Sequence, residues 1–496
     1  MSRRPPNLLF LYTDEQRRDT LACYGNRRIE MPNLNRLAEE STVFDRAYVS
    51  QPVCTPSRST LLTGQWPHTN GCTENNVSLR PETKCFPEML KPGYATAHHG
   101  KWHLGDEIFA QHGFQEWRGI DDHYEKYYSP SRDRHERCGY HHFLLSKGFA
   151  PANGSYFTRV EVSRLPEAVS KPAYLAQEAS RYFRENRDRP FVLFVNFFEP
   201  HMPFTGPRNN QYDPAKIPLP ENFNCPESAD LPLKTRLFQR WYAERGGGTG
   251  LSLKDEAGWQ RLIAQYWGLC SQVDAHAGTI LDALDANGLR DNTIVVWTSD
   301  HGDMMGSHRI VAKCLQYEEA VSVPMMIRMP GQRRGRRITG PFGHIDVVPT
   351  LLDLMGQEVP PCVQGRSRRA QVEAAGDARL TDDVIIEWNG ANCGLTADVV
   401  GKAGLPGELP EWMKGLATRE EVEAAISDPL RTIIAPEGWK FTCSTRDDHE
   451  LYDLNADPFE KVNLARRPEQ KARMADLRRR IGVWQRSTGD TVTLPE

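Results

Sequence analysis

The chain has 496 residues, with 61 basic and 65 acidic side chains, a formal net charge of −4 and 39% hydrophobic residues. This composition is typical of a globular protein, and it excludes both intrinsic disorder as the organising principle and a global basic field for nucleic acid. No stretch approaches the roughly 18 uninterrupted apolar residues of a membrane-spanning helix. We therefore expect neither a nucleic-acid partner nor a membrane partner.

The first predicted element is a strand at Asn7–Thr13, which ends at Asp14. This run is too short and too polar for the hydrophobic region of a secretory leader, and charged residues follow it. We therefore expect the chain as given to be cytoplasmic, with a removed leader as the alternative. The eleven cysteines show neither CxxC pairs nor framework spacing, which favours reduced thiols over a disulfide scaffold.

The segment Pro52–Gly64 contains a CxPxR pattern formed by Cys54, Pro56 and Arg58. Pro56 and Arg58 flank a predicted helix start, which places Cys54 at or before a helix N-terminus, where anionic groups are favoured. An isolated CxPxR is equally consistent with a buried cysteine before an amphipathic helix. The whole segment, however, resembles the activation motif of the type I sulfatases, members of the alkaline phosphatase superfamily. The resemblance implies that a formylglycine-generating maturation enzyme oxidises Cys54 to formylglycine, whose hydrated aldehyde is the nucleophile.

The segment Gly93–Gly105 resembles the second sulfatase motif, whose core is GKWHLG. His99 departs from the family, which usually has a small or β-branched residue there. Lys101 would supply a fixed positive charge for an oxyanion, and His103 could accept a proton near neutral pH.

A second apolar strand is predicted at Phe191–Phe198, ending at Glu199-Pro200. The segment Pro200–Pro203 that follows resembles the PHxP loop of the sulfatases. The resemblance implies that His201 lies near the leaving group.

A helix is predicted between Tyr266 and Leu284, where apolar residues recur every three or four positions before Asn287-Gly288. Strands are predicted at Thr293–Ser299 and Val323–Met329 because both runs are almost continuously apolar. This alternation favours βαβ units, and we predict an α/β fold with a large mixed, mostly parallel sheet sandwiched by helices.

Acidic residues at the carboxyl ends of predicted strands indicate a ligand site, because open α/β sheets bind ligands there. Carboxylates suit a hard divalent cation, whereas an imidazole shifts the preference towards transition metals. The sulfatase resemblance implies a metal held by Asp14, Glu15, Cys54, Asp300 and His301. Ca²⁺ is the expected ion, with Mn²⁺ or Mg²⁺ as alternatives.

Two of these positions depart from the usual family pattern. Glu15 stands where the family usually has a second aspartate. The Asp300-His301 pair replaces the commoner Asp-Asn and also occurs in members that act on phosphonate or phosphate esters.

Beyond these strands, Lys313 precedes Tyr317-Glu318, which resembles the family's KxxxYE pattern. The resemblance implies that Lys313 binds sulfate. Glu450–Glu460 resembles the family's C-terminal ELYDLxxDPxE turn. Between them, the segments 366–379 and 390–421 lack clear periodicity, and we interpret them as insertions or loops. A hairpin is predicted at Arg431–Ser444, a strand at Glu450–Leu454 and a last helix at Met474–Trp484. These elements predict a catalytic α/β domain over residues 1–380 and a smaller C-terminal α+β domain over 381–496.

The resemblance implies a sulfuric-ester hydrolase that acts on a small-molecule or oligosaccharide sulfate ester. We expect that ester to be a carbohydrate sulfate. Arg58, Lys101 and Lys313 would neutralise the sulfate oxygens, His201 would protonate the departing alcohol, and His103 would deprotonate the second hydroxyl of the hydrated aldehyde to expel sulfate. Polar or aromatic side chains in predicted loops could bind the sugar: His68, Asn75, Asn76, Trp388 and Asn389. The alternatives are a phosphonate monoester or phosphodiester hydrolase with the same site, and a catalytically silent sugar- or metal-binding protein.

Overall fold

Two β-sheets organise the computed structural model, which describes residues 4–225, 228, 230–246, 249–390, 395 and 409–495. The larger sheet has ten strands and the smaller has four. Helices cover both faces of the larger sheet, so the predicted α/β fold class is confirmed.

The strands of the large sheet are β1 (Asn7–Asp14), β2 (Thr42–Tyr48), β3 (Ala95–Gly100), β4 (Glu116–Arg118), β5 (Phe191–Pro200), β6 (Thr293–Ser299), β7 (Ser322–Val323), β8 (Met325–Arg328), β9 (Arg336–Gly343) and β10 (Ala378–Arg379). They lie in the order β10-β9-β2-β8-β6-β1-β5-β3-β4, and β7 pairs with β2. The small sheet contains β11 (Val384–Asn389), β12 (Pro429–Ile434), β13 (Trp439–Ser444) and β14 (Glu450–Asp453).

The described α-helices are α1 (Pro32–Glu39), α2 (Cys54–Thr63), α3 (Pro67–Asn70), α4 (Gly139–Ser146), α5 (Arg159–Val162), α6 (Lys171–Asn186), α7 (Leu233–Arg245), α8 (Glu256–Ala286), α9 (Glu318–Val321), α10 (Val347–Leu354), α11 (Arg369–Val372), α12 (Arg419–Ile426) and α13 (Lys471–Thr488). Among the described helices, none is both long enough and apolar enough to cross a membrane.

The central strands of the large sheet that flank β1 are parallel to it, and β1 is buried. β1 pairs in parallel with both β5 and β6, and all eight of its residues are buried. Near-continuous apolar runs are required here because helices pack on both faces of the sheet. The long helix α8 provides part of this cover, and it extends the predicted Tyr266–Leu284 helix at both ends.

The predicted strand Val323–Met329 is the element that differs most from its prediction. Pro324 divides it into β7 and β8, because proline has no N–H to donate to a neighbouring strand. β8 runs antiparallel to both β2 and β6, which makes the sheet mixed.

The small sheet is antiparallel throughout and contains the predicted hairpin, formed by β12 and β13. Its apolar face packs on the terminal helix through Phe441, Leu451, Leu477 and Ile481. The predicted loop 366–379 contains α11 and the edge strand β10. Most of the predicted loop 390–421, namely residues 391–394 and 396–408, lies outside the described residues. The proposed domain division near residue 380 stays a prediction.

Candidate active site

The carboxyl ends of neighbouring parallel strands bring most of the predicted site residues together. Thr13 of β1 pairs with Ser299 of β6, and Asp14 pairs with Pro200 of β5. On the other side of β5, Gly100 of β3 pairs with Asn196. The residues that follow these positions therefore meet at one edge of the sheet: Glu15, Lys101, His201, Asp300 and His301.

Cys54 reaches the same edge by a different route. β2 and β6 run in the same direction, because both are antiparallel to β8. The chain leaves β2 at Tyr48 and enters α2 with Cys54 as its first residue. The Cys54 thiol is 1% exposed, and its Sγ lies 3.2 Å from His301 Nε2 and 3.7 Å from Asp14 Oδ1.

The helix that begins at Cys54 is fixed at its first turn. All ten residues of α2 are buried. Thr55 Oγ1 donates to the His103 carbonyl at 2.8 Å, and Ser57 Oγ donates to the Asp300 carbonyl. The N-terminus of α2 is therefore tied to the ends of β3 and β6.

Arg58 is directed at protein carboxylates. It is fully buried, and its Nη2 lies 2.9 Å from Asp14 Oδ2 and 2.7 Å from Asp300 Oδ2. Its Nη1 donates to Asn196 Oδ1 and to the Lys101 carbonyl. In this geometry Arg58 positions the two aspartates, and its predicted contact with sulfate oxygens stays a prediction.

Asp14 is the electrostatic centre of the site. Burial alone disfavours its charged form, but Lys101, which forms an ion pair with it, and the cationic groups around it hold the pKa of Asp14 well below its usual range. Lys101 Nζ also lies 3.8 Å from Cys54 Sγ. The thiol is thus flanked by a fixed cation and an ionised carboxylate.

Four of the five predicted metal ligands form one group. Ligand atoms of Asp14, Cys54, Asp300 and His301 all lie within 4.8 Å of one another. His301 Nδ1 donates to the Gly302 carbonyl at 2.9 Å, which leaves the Nε2 lone pair directed towards Cys54. Burial alone would lower the pKa of His301, but Asp300 and Cys54 outweigh it and raise that pKa to about 9. A bound cation would therefore displace a proton from this imidazole.

The fifth predicted ligand, Glu15, belongs to an adjoining group with Asp14 and His201. Glu15 Oε1 accepts from Lys313 Nζ at 2.6 Å, and Oε2 lies 3.7 Å from His201 Nε2. Oε2 is buried and has no hydrogen-bond partner among the described residues. This carboxylate oxygen remains available to a cation.

His201 has a defined tautomer. Its Nδ1 donates to the Met202 carbonyl at 2.7 Å, which turns Nε2 towards Glu15. Burial, reinforced by Lys313, holds the pKa of His201 well below its usual range.

His103 is held by two groups that the sequence did not reveal. Asn76 Oδ1 lies 3.0 Å from His103 Nε2, which leaves Nδ1 without a hydrogen-bond partner in the described part of the chain. Burial and the charge of Lys101 keep the pKa of His103 well below its usual range. Glu107 accepts from the main-chain N–H groups of Trp102 and His103 at 2.8 and 2.6 Å and so stabilises the left-handed backbone of His103, whose φ is 60°.

The side chains differ in exposure, and this difference locates the mouth of the site. Asp14, Arg58 and Asp300 are fully buried, whereas His201 and Lys313 each retain 9% exposure. The mouth therefore lies on the His201–Lys313 side, and the carboxylates lie at the base.

Further residues near the mouth were missed by sequence reasoning because no motif contains them. Tyr124 packs against His103 with ring centroids 4.5 Å apart, and Arg159 donates to the Tyr124 hydroxyl at 2.8 Å. Both lie in a stretch that has no clear periodicity.

The side chains predicted to bind sugar do not form a single group. Trp388 is fully buried in β11, and Asn389 donates to Gln51 at 2.8 Å. His68 is bound to Glu387 at 2.7 Å. Asn75 accepts from the Thr55 N–H at 3.0 Å and Asn76 contacts His103, so these two half-buried side chains lie beside the site.

The similarity of this chain to known proteins extends over most of its length. A family model described as Sulfatase matches residues 6–357. An N-acetylglucosamine-6-O-sulfatase from Bacteroides thetaiotaomicron is 30% identical over 546 residues, covering 98% of this chain and 87% of the relative.

Among solved structures, a phosphonate monoester hydrolase from Silicibacter pomeroyi has a TM-score of 0.76 at 24% identity and covers 97% of this chain and 96% of its own. A protein solved in complex with its substrate D-glucosamine-2-N,6-O-disulfate has a TM-score of 0.73 at 24% identity, covering 98% and 99%. These two likenesses establish the fold. The family match over most of the chain and the 30% identical relative show that this protein belongs to the sulfatase family of sulfuric-ester hydrolases.

Proposed function

We propose that this protein hydrolyses a sulfate ester on a carbohydrate, with formylglycine made from Cys54 as its nucleophile and a divalent cation beside it. The observation that carries the proposal is the position of Cys54. It begins a fully buried helix with Lys101, Asp14 and His301 all within 4 Å of its Sγ.

The donor set fits a divalent cation. Asp14, Asp300 and His301 would hold it together with the modified residue 54, and Glu15 Oε2 is a further oxygen within reach of Asp14. Carboxylate oxygens dominate this set, which favours Ca²⁺, with Mn²⁺ or Mg²⁺ as the alternatives. When bound, the cation would withdraw electron density from the sulfate oxygens.

Two lysines supply the remaining positive charge. Lys101 lies at the base beside position 54, and Lys313 lies at the mouth, where its Nζ pairs with Glu15 at 2.6 Å. Fixed charges in a dry site stabilise a developing anion strongly, because no solvent has to reorganise around them. Arg58 supports this arrangement indirectly by holding Asp14 and Asp300 in place.

Two histidines are suited to proton transfer. Formylglycine, once formed and hydrated, supplies two hydroxyls at position 54. The lowered pKa of His103 favours its neutral form, and its Nδ1 has no hydrogen-bond partner among the described residues. It would take the proton from the second hydroxyl. His201 lies at the mouth. An anionic ester bound beside it would favour its protonated form, whose Nε2 would then donate a proton to the departing alcohol. Each such transfer contributes typically ~10²–10⁴-fold to the rate.

The carbohydrate assignment is supported by the 30% identical relative named for its action on N-acetylglucosamine-6-O-sulfate. A second candidate is a phosphonate monoester or phosphodiester hydrolase with the same site. The Asp300-His301 pair and the phosphonate hydrolase likeness favour it. Turnover of sulfated sugars and of phosphate diesters, measured on one preparation, separates the two.

Formylglycine is tested directly at residue 54. Cleavage after Arg46 and Arg58 releases the peptide Ala47–Arg58, which we expect to carry the aldehyde mass in active protein. The modified fraction should follow specific activity when the protein is produced with and without a formylglycine-generating enzyme. This enzyme is the maturation partner that we propose.

Cys54→Ala is the matched variant for this experiment. We expect it to fold and to retain its metal, because the side chain is small and carboxylates meet most of the metal's charge. It should be inactive, since neither hydroxyl of the hydrated aldehyde is then available. Full activity with an unmodified thiol at residue 54 would refute the mechanism and leave the family assignment intact.

A further inference from the structure

A second cluster of metal-ligating side chains lies outside the active site. Cys85 precedes the short 3-10 helix Phe86–Met89, and Glu88 lies within that helix. His112 comes from the loop between β3 and β4. Their ligand atoms all lie within 4.8 Å of one another. Neither the sulfatase motifs nor the proposed mechanism uses any of these residues.

One of the two imidazole nitrogens in this cluster lacks a close hydrogen-bond partner among the described residues. The His112 side chain is 5% exposed, and its Nδ1 has no hydrogen-bond partner among the described residues. The nearest acceptor, Glu88 Oε2, lies 3.5 Å away, which is too long for a good N–H···O bond. A buried nitrogen in this position loses free energy unless a further group satisfies it.

The backbone holds the cluster together. His112 adopts a left-handed conformation, with φ at 48°, and Gly113 follows at 78°. A Cβ added at Gly113 would lie 2.7 Å from Glu88 Cγ and 3.2 Å from the Glu88 backbone nitrogen, so the loop passes close to Glu88. The imidazole and the carboxylate are therefore held together by the course of the chain.

The chemistry of the three ligands selects the ion. One thiol, one imidazole and one carboxylate form the mixed S, N and O set that suits Zn²⁺, whereas Ca²⁺ and Mg²⁺ take oxygen ligands. Zinc bond lengths of about 2.0–2.3 Å require ligand atoms roughly 3.3–3.8 Å apart, so modest side-chain adjustment closes the site. Glu88 is 31% exposed, which provides an entry path and room for a water as fourth ligand, while Cys85 is fully buried.

We propose that Cys85, Glu88 and His112 form a zinc site that braces the loop carrying Lys101 and His103. The His112 ring stacks on Trp102 with centroids 5.9 Å apart and an interplanar angle of 30°. Trp102 lies between the two motif residues. An ion bound at His112 would thus restrain Trp102, which packs against the His112 ring, without touching the reacting atoms.

Cobalt spectroscopy tests the proposal, because Co²⁺ replaces Zn²⁺ and gives a thiolate charge-transfer band. The measurement uses the full-length Cys54→Ala protein, which lacks the active-site thiol. A chelator first removes bound metal, and excess Ca²⁺ is then added. Addition of Co²⁺ should produce one equivalent of thiolate-bound cobalt, and Zn²⁺ should bleach it. Absence of the band in this protein would overturn the proposal.

Second variants in the same background identify the ligands. Cys85→Ser should abolish the band, whereas Cys72→Ser, the matched control at another buried thiol, should keep it. Glu88→Gln retains an acceptor for the Cys85 N–H but loses the anionic ligand, so it should fold and bind Co²⁺ at least tenfold more weakly. A band that persists in Cys85→Ser, or unchanged Co²⁺ affinity in Glu88→Gln, would show that the cluster does not bind metal.

Discussion

At the scale of single residues, buried carboxylates in the site are neutralised by buried cationic side chains. Asp300 illustrates this: its carboxylate pairs with Arg58 at 2.7 Å and accepts from the N–H groups of Glu15 and His301. The same carboxylate is within ligand distance of Cys54 and His301. It therefore serves both the folded structure and the proposed cation.

Asp300→Ala should lose the metal, because a hard cation needs anionic oxygen ligands. We expect activity to fall by several orders of magnitude. Stability should also fall by about 3–5 kcal/mol, since Arg58 loses one of two buried partners. Elemental analysis, turnover and urea unfolding measure these three quantities.

Asp274→Asn is the matched control for this variant. Asp274 is equally buried, but its carboxylate accepts from the N–H groups of Asn33 and Leu34 at the start of α1. It should therefore keep the metal. If Asp300→Ala retained both metal and activity, Asp300 would be a turn residue only.

The role of His201 is tested by the leaving group. His201→Ala should reduce turnover of sulfate esters with poor leaving alcohols by ~10²–10⁴-fold, because these alcohols need a proton as they depart. Activated aryl sulfates should lose far less, since a phenolate leaves without help. Equal losses on both substrates, measured as kcat, would remove His201 from the acid role.

At the scale of elements, the site depends on close contact between strand ends. Gly100 at the end of β3 has φ of 117°, and an added Cβ would lie 1.9 Å from the Asn196 carbonyl oxygen of β5. Asn196 in turn accepts from Arg58, and Lys101 follows Gly100 directly. The spacing of β3 and β5 therefore sets the position of two cationic side chains.

Gly100→Ala should destabilise the protein by about 3 kcal/mol or more, since both backbone strain and a backbone clash are introduced. Gly93→Ala is the matched control: its φ of 111° is similar, but nothing lies within 4 Å of its added Cβ. That variant should cost about 1 kcal/mol from strain alone. Urea unfolding compares the two, and equal costs would contradict the close-approach argument.

At the scale of the whole molecule, a buried ion-pair network joins the two sheets. Lys440 of β13 lies 3.1 Å from Glu318 and 2.8 Å from Glu460 and is 1% exposed. Glu460 also accepts from the Glu318 N–H at 2.6 Å. The C-terminal turn thereby holds the segment that follows Lys313, so the small sheet supports the mouth of the site.

Lys440→Met should lower the free energy of unfolding by about 3–5 kcal/mol, because it leaves two carboxylates buried without a cation. Adding Glu460→Gln should recover part of this loss, since the glutamine amide carries no charge. Lys471→Met, at an exposed position, is the control and should change stability little. Urea unfolding provides the measurement, and an equal effect of Lys440→Met and Lys471→Met would rule out a structural role for the network.

The sequence by itself determined the fold class and most members of the site. The apolar runs at β1, β5 and β6 are long and almost uninterrupted, so periodicity alone identifies buried strands. The motifs around Cys54, Lys101 and Asp300 are local, and their residues lie beside strand ends where parallel neighbours must meet. These features depend on short-range spacing, which a sequence states directly.

Only the tertiary structure decided which partner each charged side chain reaches. Arg58 contacts Asp14 and Asp300, Glu15 pairs with Lys313, and Trp388 is buried in the small sheet. Neither ion pair was predicted from the sequence. The sulfate contact for Arg58 and the metal contact for Glu15 stay predictions, whereas the Trp388 side chain predicted to bind sugar is fully buried. These outcomes depend on strand register and on burial between segments hundreds of residues apart. A buried charge pairs with whichever opposite charge the fold brings within reach, because leaving it unpaired away from water costs more free energy than any local preference supplies.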